Sequence, residues 1–138
     1  MNDNNIIRFT IYENPVTKKN HGQIIRTKNG PILIPSKPYI KYEAKCKKYM
    51  PDIKSITKPV NIKAVYYRST KHNVDLTNLN SALHDVLVKY KVLQDDNRDI
   101  AAMTNGSKVL YDKHNPRTEV EITFLEGYEQ WSGGNKKC

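Results

Sequence analysis

The sequence predicts a single compact domain of the α/β class, more narrowly α+β: a mixed β-sheet with two main helices. Three patterns predict it. Leu79, Ala82, Leu83, Val86, Leu87 and Tyr90 recur at helical spacing and make one continuous apolar face. Tyr39, Tyr42, Cys46 and Tyr49 do the same in a shorter, lysine-rich stretch. The runs 5–12, 59–68 and 117–125 are rich in β-branched and aromatic residues, and in the last of them Val120, Ile122 and Phe124 alternate with Glu119, Glu121 and Thr123. The chain has 138 residues, one-domain length on a scale where domains run about 100–150 residues.

Taken in order, residues 5–12 (NIIRFTIY) read as a first strand and Glu13 to Gly22 as a polar loop with two lysines. Residues 23–27 and 31–35 flank the turn Lys28-Asn29-Gly30, the pattern of a β-hairpin whose second arm Pro31 and Pro35 confine to a sheet edge. Residues 39–49 read as a short basic helix stopped by Pro51, with its tyrosines in the core rather than stacked on bases. After the strand 59–68, a polar segment leads into the long helix, which Thr77 or Asn78 can cap. Residues 100–111 and 117–125 read as two further strands. The domain is expected to span 1–126, with a mobile tail over 127–138 for which Trp131 is the only anchor.

Charge is divided unevenly. Residues 1–74 hold 15 Lys+Arg against 4 Asp+Glu, and residues 75–138 hold 8 against 10. A strongly basic half calls for a polyanion, of which nucleic acid is the commonest. No apolar run approaches the roughly 20 residues that span a bilayer, and Cys46 and Cys138 fit no metal-ligand spacing. A soluble protein of the reducing cytoplasm is expected.

Asp75, Asp85, Asp95 and Asp96 fall within 22 residues around the long helix. Asp75 stands at its entrance, Asp85 on the flank it shares with Asn78 and Ser81, and the pair beyond its end. A return of the chain would bring Asp95 or Asp96 near Asp75. Close carboxylates repel unless a hard cation neutralises them, and oxygen-only sets select Mg²⁺ or Mn²⁺. A basic surface around such a set suits a metal-dependent nuclease, in which lysines hold phosphates and the metal activates water. The bland alternative is a set of ordinary helix-end and turn aspartates. The four histidines are too scattered for a zinc site, His84 reads as structural, and there is no Gly-rich phosphate loop.

The run Asp75-Leu-Thr-Asn78, then Asp85-Val-Leu, then Val-Leu-Gln-Asp95-Asp96 resembles the core signature of the RusA-type Holliday-junction resolvases. The segment Asn14-Pro15-Val16-Thr17-Lys18-Lys19-Asn20, with the Tyr39/Tyr42 region, resembles the amino-terminal strand and loop of that family, so the likeness covers roughly residues 5–125. It implies a homodimeric endodeoxyribonuclease that binds four-way DNA junctions and makes paired symmetric incisions with Mg²⁺ or Mn²⁺. It implies Asp75, Asp95 and Asp96 as catalytic residues, and these three with Asp85 as metal ligands. Lys18, Lys19, Arg68 and Lys71 are the candidate DNA contacts. No nucleotide cofactor and no membrane partner are expected, and a phage or prophage replication module would suit such an enzyme of recombination and repair. Two positions depart from the family pattern: Thr77 replaces the usual second catalytic Asp, and Ser81 replaces a Lys. The alternative from a different class is a non-catalytic, structure-selective nucleic-acid-binding protein on the same fold, and Thr77 is its best support. A weaker one is a basic RNA-associated protein.

Overall fold

A computed structural model describes residues 5–18, 23–34 and 36–131. It is one α+β domain with a mixed sheet and two helices, as the periodicities require. Its elements are β1 (Ile6–Ile11), β2 (Gln23–Thr27), β3 (Gly30–Ile34), α1 (Lys37–Cys46), β4 (Val60–Arg68), α2 (Leu76–Lys89), β5 (Ala101–Met103), β6 (Lys108–Tyr111) and β7 (Arg117–Phe124), with a short 3-10 turn over Lys47–Tyr49. The main sheet runs β1-β7-β4, with β5 and β6 both on the far edge of β4.

Pairing is antiparallel between β1 and β7 and between β7 and β4, but β5 and β6 lie parallel to β4. A parallel neighbour needs a crossover, and α2 supplies it. β4 therefore runs up one layer, α2 returns along the other, and β5 begins beside Val60 at the foot of β4. The apolar stripe of α2 (Leu79, Ala82, Leu83, Val86, Leu87) and the Tyr39, Tyr42 and Cys46 face of α1 are buried in one core with Ile62, Ala64 and Tyr66 of β4 and Val120 and Ile122 of β7. The α1 tyrosines are core residues, as their spacing indicates. Burial pushes the Cys46 thiol up to about 12, so this cysteine is a small core hydrophobe at neutral pH. Among the described residues no helix is long and apolar enough to cross a membrane.

Two local expectations need correction. The run 100–111 is two strands rather than one, because Gly106 adopts a φ of 89° in the turn between β5 and β6. The helix cap is Asp75 rather than Thr77 or Asn78, so α2 begins at Leu76. The hairpin β2–β3 forms as expected, as a separate two-stranded sheet in which both arms are edges. At the other end, Arg98 Nη1 donates to the Glu129 carbonyl at 2.7 Å, Gln130 Nε2 donates to the Thr57 carbonyl at 2.8 Å and the Trp131 amide donates to Asp99 Oδ1 at 2.7 Å. Residues 129–131 thus have several attachments besides the Trp131 ring, and 132–138 lie outside the described residues.

α2 ends in a left-handed residue. Lys91 has φ 63°, and the amides of Val92 and Leu93 both donate back to the Leu87 carbonyl. Glycine is the usual occupant of that position. The left-handed conformation costs an L-residue about 1–2 kcal/mol, and the extra chain entropy of glycine offsets about 0.5–1 kcal/mol of any gain. Lys91→Gly is therefore expected to stabilise the protein by about 0.5 kcal/mol, read as a higher urea midpoint at unchanged m-value.

Candidate active site

The sheet decides where the acids go. β4 ends at Arg68, and the segment 69–74 turns the chain so that α2 can pack back onto it. Asp75 is the last residue before the helix, with extended φ −88° and ψ 121°, and its Oδ1 accepts from the Thr77 amide at 2.9 Å. A carboxylate in this position satisfies an otherwise unpaired amide and faces the positive end of the helix dipole. Its second oxygen has no hydrogen bond among the described residues. Thr77 is exposed, its backbone serving Asp75, and the first turn of α2 holds no acid of its own.

Asp85 lies ten residues further on, half-buried, and is ion-paired with the ammonium of Lys18. At 1.5 Å per residue the helix separates it from Asp75 by about 15 Å, far beyond what one ion with ligands at about 2 Å can bridge. Within one chain Asp85 therefore cannot share an ion with Asp75, contrary to the expectation of a common ligand set. Its partner Lys18 is one of the candidate DNA contacts; Lys19, another, lies outside the described residues.

Asp95 and Asp96 are both exposed in the turn that follows α2. Asp95 accepts from the Asp96 amide at 2.7 Å and from Asn97 Nδ2 at 3.2 Å, an aspartate holding its own turn. Asp96 and Asp85 both lie within electrostatic reach of His84. Burial holds that imidazole below its ordinary pKa, against the opposing pull of the two carboxylates. His84 Nε2 is buried without a hydrogen-bond partner. The sequence reads His84 as structural; its burial and the approach of Asp96 are not revealed by its own helix position. The nearby Asp99 is buried and anchors Trp131, a structural acid beside two exposed ones.

Arg68 and Lys71 lie in the stretch that leads to Asp75. Asn14 Oδ1 accepts from the Ser69 amide at 3.0 Å, which ties the amino-terminal loop to the segment entering α2, while Lys18 further along that loop pairs with Asp85 in the second half of the helix. Arg68 Nη1 donates to the His72 carbonyl at 2.9 Å, and the Lys71 ammonium stands 4.9 Å from the centroid of the Tyr111 ring. Arg68, Lys71, His72 and Tyr111 line one open cleft, and Arg68, Asn73 and Val74 continue into a second, next to Thr17 and Ser36. Tyr111 had no signal in the sequence and Asn14 had one only as part of the loop that resembles the family, since the value of both lies in contacts with distant segments.

Among the described residues no group of three or more His, Cys, Asp or Glu is placed to hold a metal ion. The donor chemistry nevertheless suits Mg²⁺, which is usually held by one or two carboxylates together with substrate phosphates and waters. Asp75, with one oxygen free of hydrogen bonds among the described residues, could supply one such carboxylate.

No curated protein matches this chain. The family model of the endodeoxyribonuclease RusA matches residues 13–123, which takes in the Lys18 loop, both helices and the whole acidic segment. With that span, the α+β fold and the order Asp75, Asp85, Asp95-Asp96 on and around one crossover helix, the chain belongs to the RusA endodeoxyribonuclease family, whose members act on Holliday-junction DNA.

Proposed function

We propose that this protein is a Mg²⁺- or Mn²⁺-dependent endonuclease that resolves four-way DNA junctions, working as a homodimer in the cytoplasm. The observation that carries the reading is the juxtaposition at the head of α2: a helix-capping carboxylate, Asp75, beside a cleft lined by Arg68 and Lys71. The cations bind the phosphates on either side of the scissile one. Asp75 would hold the ion at the head of α2, and Asp96, whose turn Asp95 fixes, lies beyond the opposite end of that helix and would join the same ion from the second copy of the chain. When bound, the ion polarises the phosphodiester and lowers the pKa of the attacking water. Asp85 serves a different end, holding Lys18 and its loop on the flank of α2. Two copies related by a two-fold axis would place two such sites on symmetric strands of a junction.

A second reading has one specific observation in its favour. Thr77 supplies no charge where the family pattern has a carboxylate, so a junction-binding protein without cleavage would keep the same cleft.

Three measurements test the proposal. On a synthetic four-way junction with Mn²⁺, Asp75→Asn and Asp96→Asn are expected to abolish cutting but leave the gel shift intact or tighter. Asparagine also caps helices well, so Asp75→Asn should keep its thermal stability, while Asp75→Ala should lose about 1 kcal/mol in addition to activity. Equal loss of binding and cutting would assign these residues to structure, and a gel shift without cutting by the native protein would favour the second reading.

Thr77→Asp adds a carboxylate in the first turn of α2, where a negative charge contributes about 0.3–1 kcal/mol to the helix. It is expected to retain or raise the nicking rate, most clearly at low Mg²⁺. A lower rate at every Mg²⁺ concentration would mean that the site is built around the neutral side chain. Light scattering at micromolar concentration should give twice the 16.0 kDa chain mass; the single mass with and without junction DNA would exclude the dimer.

A further inference from the structure

The β2–β3 ribbon is the part of the fold that the cutting chemistry leaves unused. Residues 24–29 and 31–33 are all exposed. Ile24 and Leu33 stand 73% and 71% open, and Ile25 and Ile32 42% and 47%. Directly opposed residues of an antiparallel pair share a face. The register Ile24↔Leu33 and Ile25↔Ile32 therefore puts one aliphatic pair on each face of the ribbon. A lone two-stranded ribbon is marginal in water, and one that shows aliphatic side chains on both faces is shaped for contact with another molecule.

Charge indicates which kind. From Asn14 to Tyr42 the sequence holds six Lys or Arg and no Asp or Glu, and Arg26 and Lys28 sit beside the turn at Asn29-Gly30. Two such ribbons laid together would oppose like charges, whereas a polyanion complements them. Position agrees. Thr17, before the ribbon, and Ser36, after it, are buried and line the cleft next to Arg68, Asn73 and Val74. The ribbon thus leaves the domain at the rim of the candidate active site.

We propose that the ribbon is a junction-reading arm. Arg26 and Lys28 contact phosphates, and Ile24 with Leu33 packs against bases exposed at the branch point. Inserting an apolar wedge into continuous duplex costs a few kcal/mol of stacking per step, but at a branch point the stack is already interrupted. The aliphatic pair therefore distinguishes junction from duplex, which cations alone do not. This rests on the endonuclease reading above and assigns the feature of the substrate that selects it.

The test uses the full-length protein in EDTA with a four-way junction carrying 2-aminopurine beside the branch point, and a linear duplex for comparison. Binding of the native protein should raise the fluorescence. Ile24→Ser/Leu33→Ser should remove the rise and weaken junction binding about tenfold, with the circular dichroism unchanged. Arg26→Gln/Lys28→Gln should keep the rise at saturation and reduce the salt slope of binding by about two. Native-like fluorescence and affinity in the aliphatic double variant would overturn the proposal. So would its conversion of a dimer to a monomer in sedimentation, which would make the ribbon a contact between two copies of this chain. A native protein that prefers the junction no more than the duplex would instead bring down the endonuclease reading itself, and this arm with it.

Discussion

The seating of α2 on β4 is the constraint from which the positions of all the acidic residues follow. Leu79, Leu83, Val86 and Leu87 are fully buried against a sheet face that includes Ile62, Ala64 and Tyr66. Each such side chain contributes about 1.5–3 kcal/mol by leaving water. The Asp75 cap contributes about 1 kcal/mol, and a partly exposed ion pair such as Lys18–Asp85 about 0–1 kcal/mol. Apolar burial thus sets the helix in place, and the polar groups are carried by it. One polar contact still matters for orientation: the buried Tyr66 hydroxyl donates to Asn80 Oδ1 at 2.7 Å. It fixes the rotation of α2, so Asn78, Ser81 and Asp85 stay off the buried stripe.

The same seating separates the acids by function. Asp75 is held by the helix it starts, Asp85 by Lys18, Asp95 by its own turn, and Asp99 by the packing of residues 129–131. Aspartates that look alike in a row of letters thus occupy four different environments. Proximity in sequence was the reason to group them, but a helix is a rigid spacer. Ten residues of loop can fold back, while ten residues of helix hold Asp75 and Asp85 about 15 Å apart.

Legibility in the sequence followed the physics of each feature. The helices and the long strands were readable because burial on one face imposes a period of 3.6 or 2, and Leu79 to Tyr90 and Val120 to Phe124 show those periods directly. The Asn29-Gly30 turn announced the hairpin, but nothing local tells whether a hairpin joins a larger sheet. The cap was misplaced because Thr77 and Asn78 are residue types as suitable as Asp75, and only the end of β4 and the approach of the chain decide among them. The split of 100–111 turned on the single left-handed Gly106. His84 was readable only in part: Asp85 is its neighbour within the helix, but its burial and the approach of Asp96 depend on the chain beyond the helix.

A charge balance follows at the head of α2. The family pattern sets two carboxylates there, and their mutual repulsion must be relieved by a cation before a phosphate can approach. With Thr77 in the second place, one carboxylate remains, and it faces a helix terminus that carries roughly half a positive charge. Arg68 and Lys71 add two full charges to the adjoining cleft. The local balance is positive even without an ion, so on the proposed reading a phosphodiester would be drawn to this end of the helix by the protein alone. Once seated, its non-bridging oxygens can serve as the ligands that the protein side lacks, since Mg²⁺ readily combines one or two carboxylates with substrate phosphates. Substrate binding would then precede and assist metal binding. Lys18 fits the same order. Its pairing with Asp85 is partly exposed and therefore weak, so a phosphate can draw the ammonium away at little cost and leave the Asp85 carboxylate beside His84 and Asp96. On the proposed endonuclease reading, the loss of one acid would thus favour a site that gathers its DNA ahead of its metal.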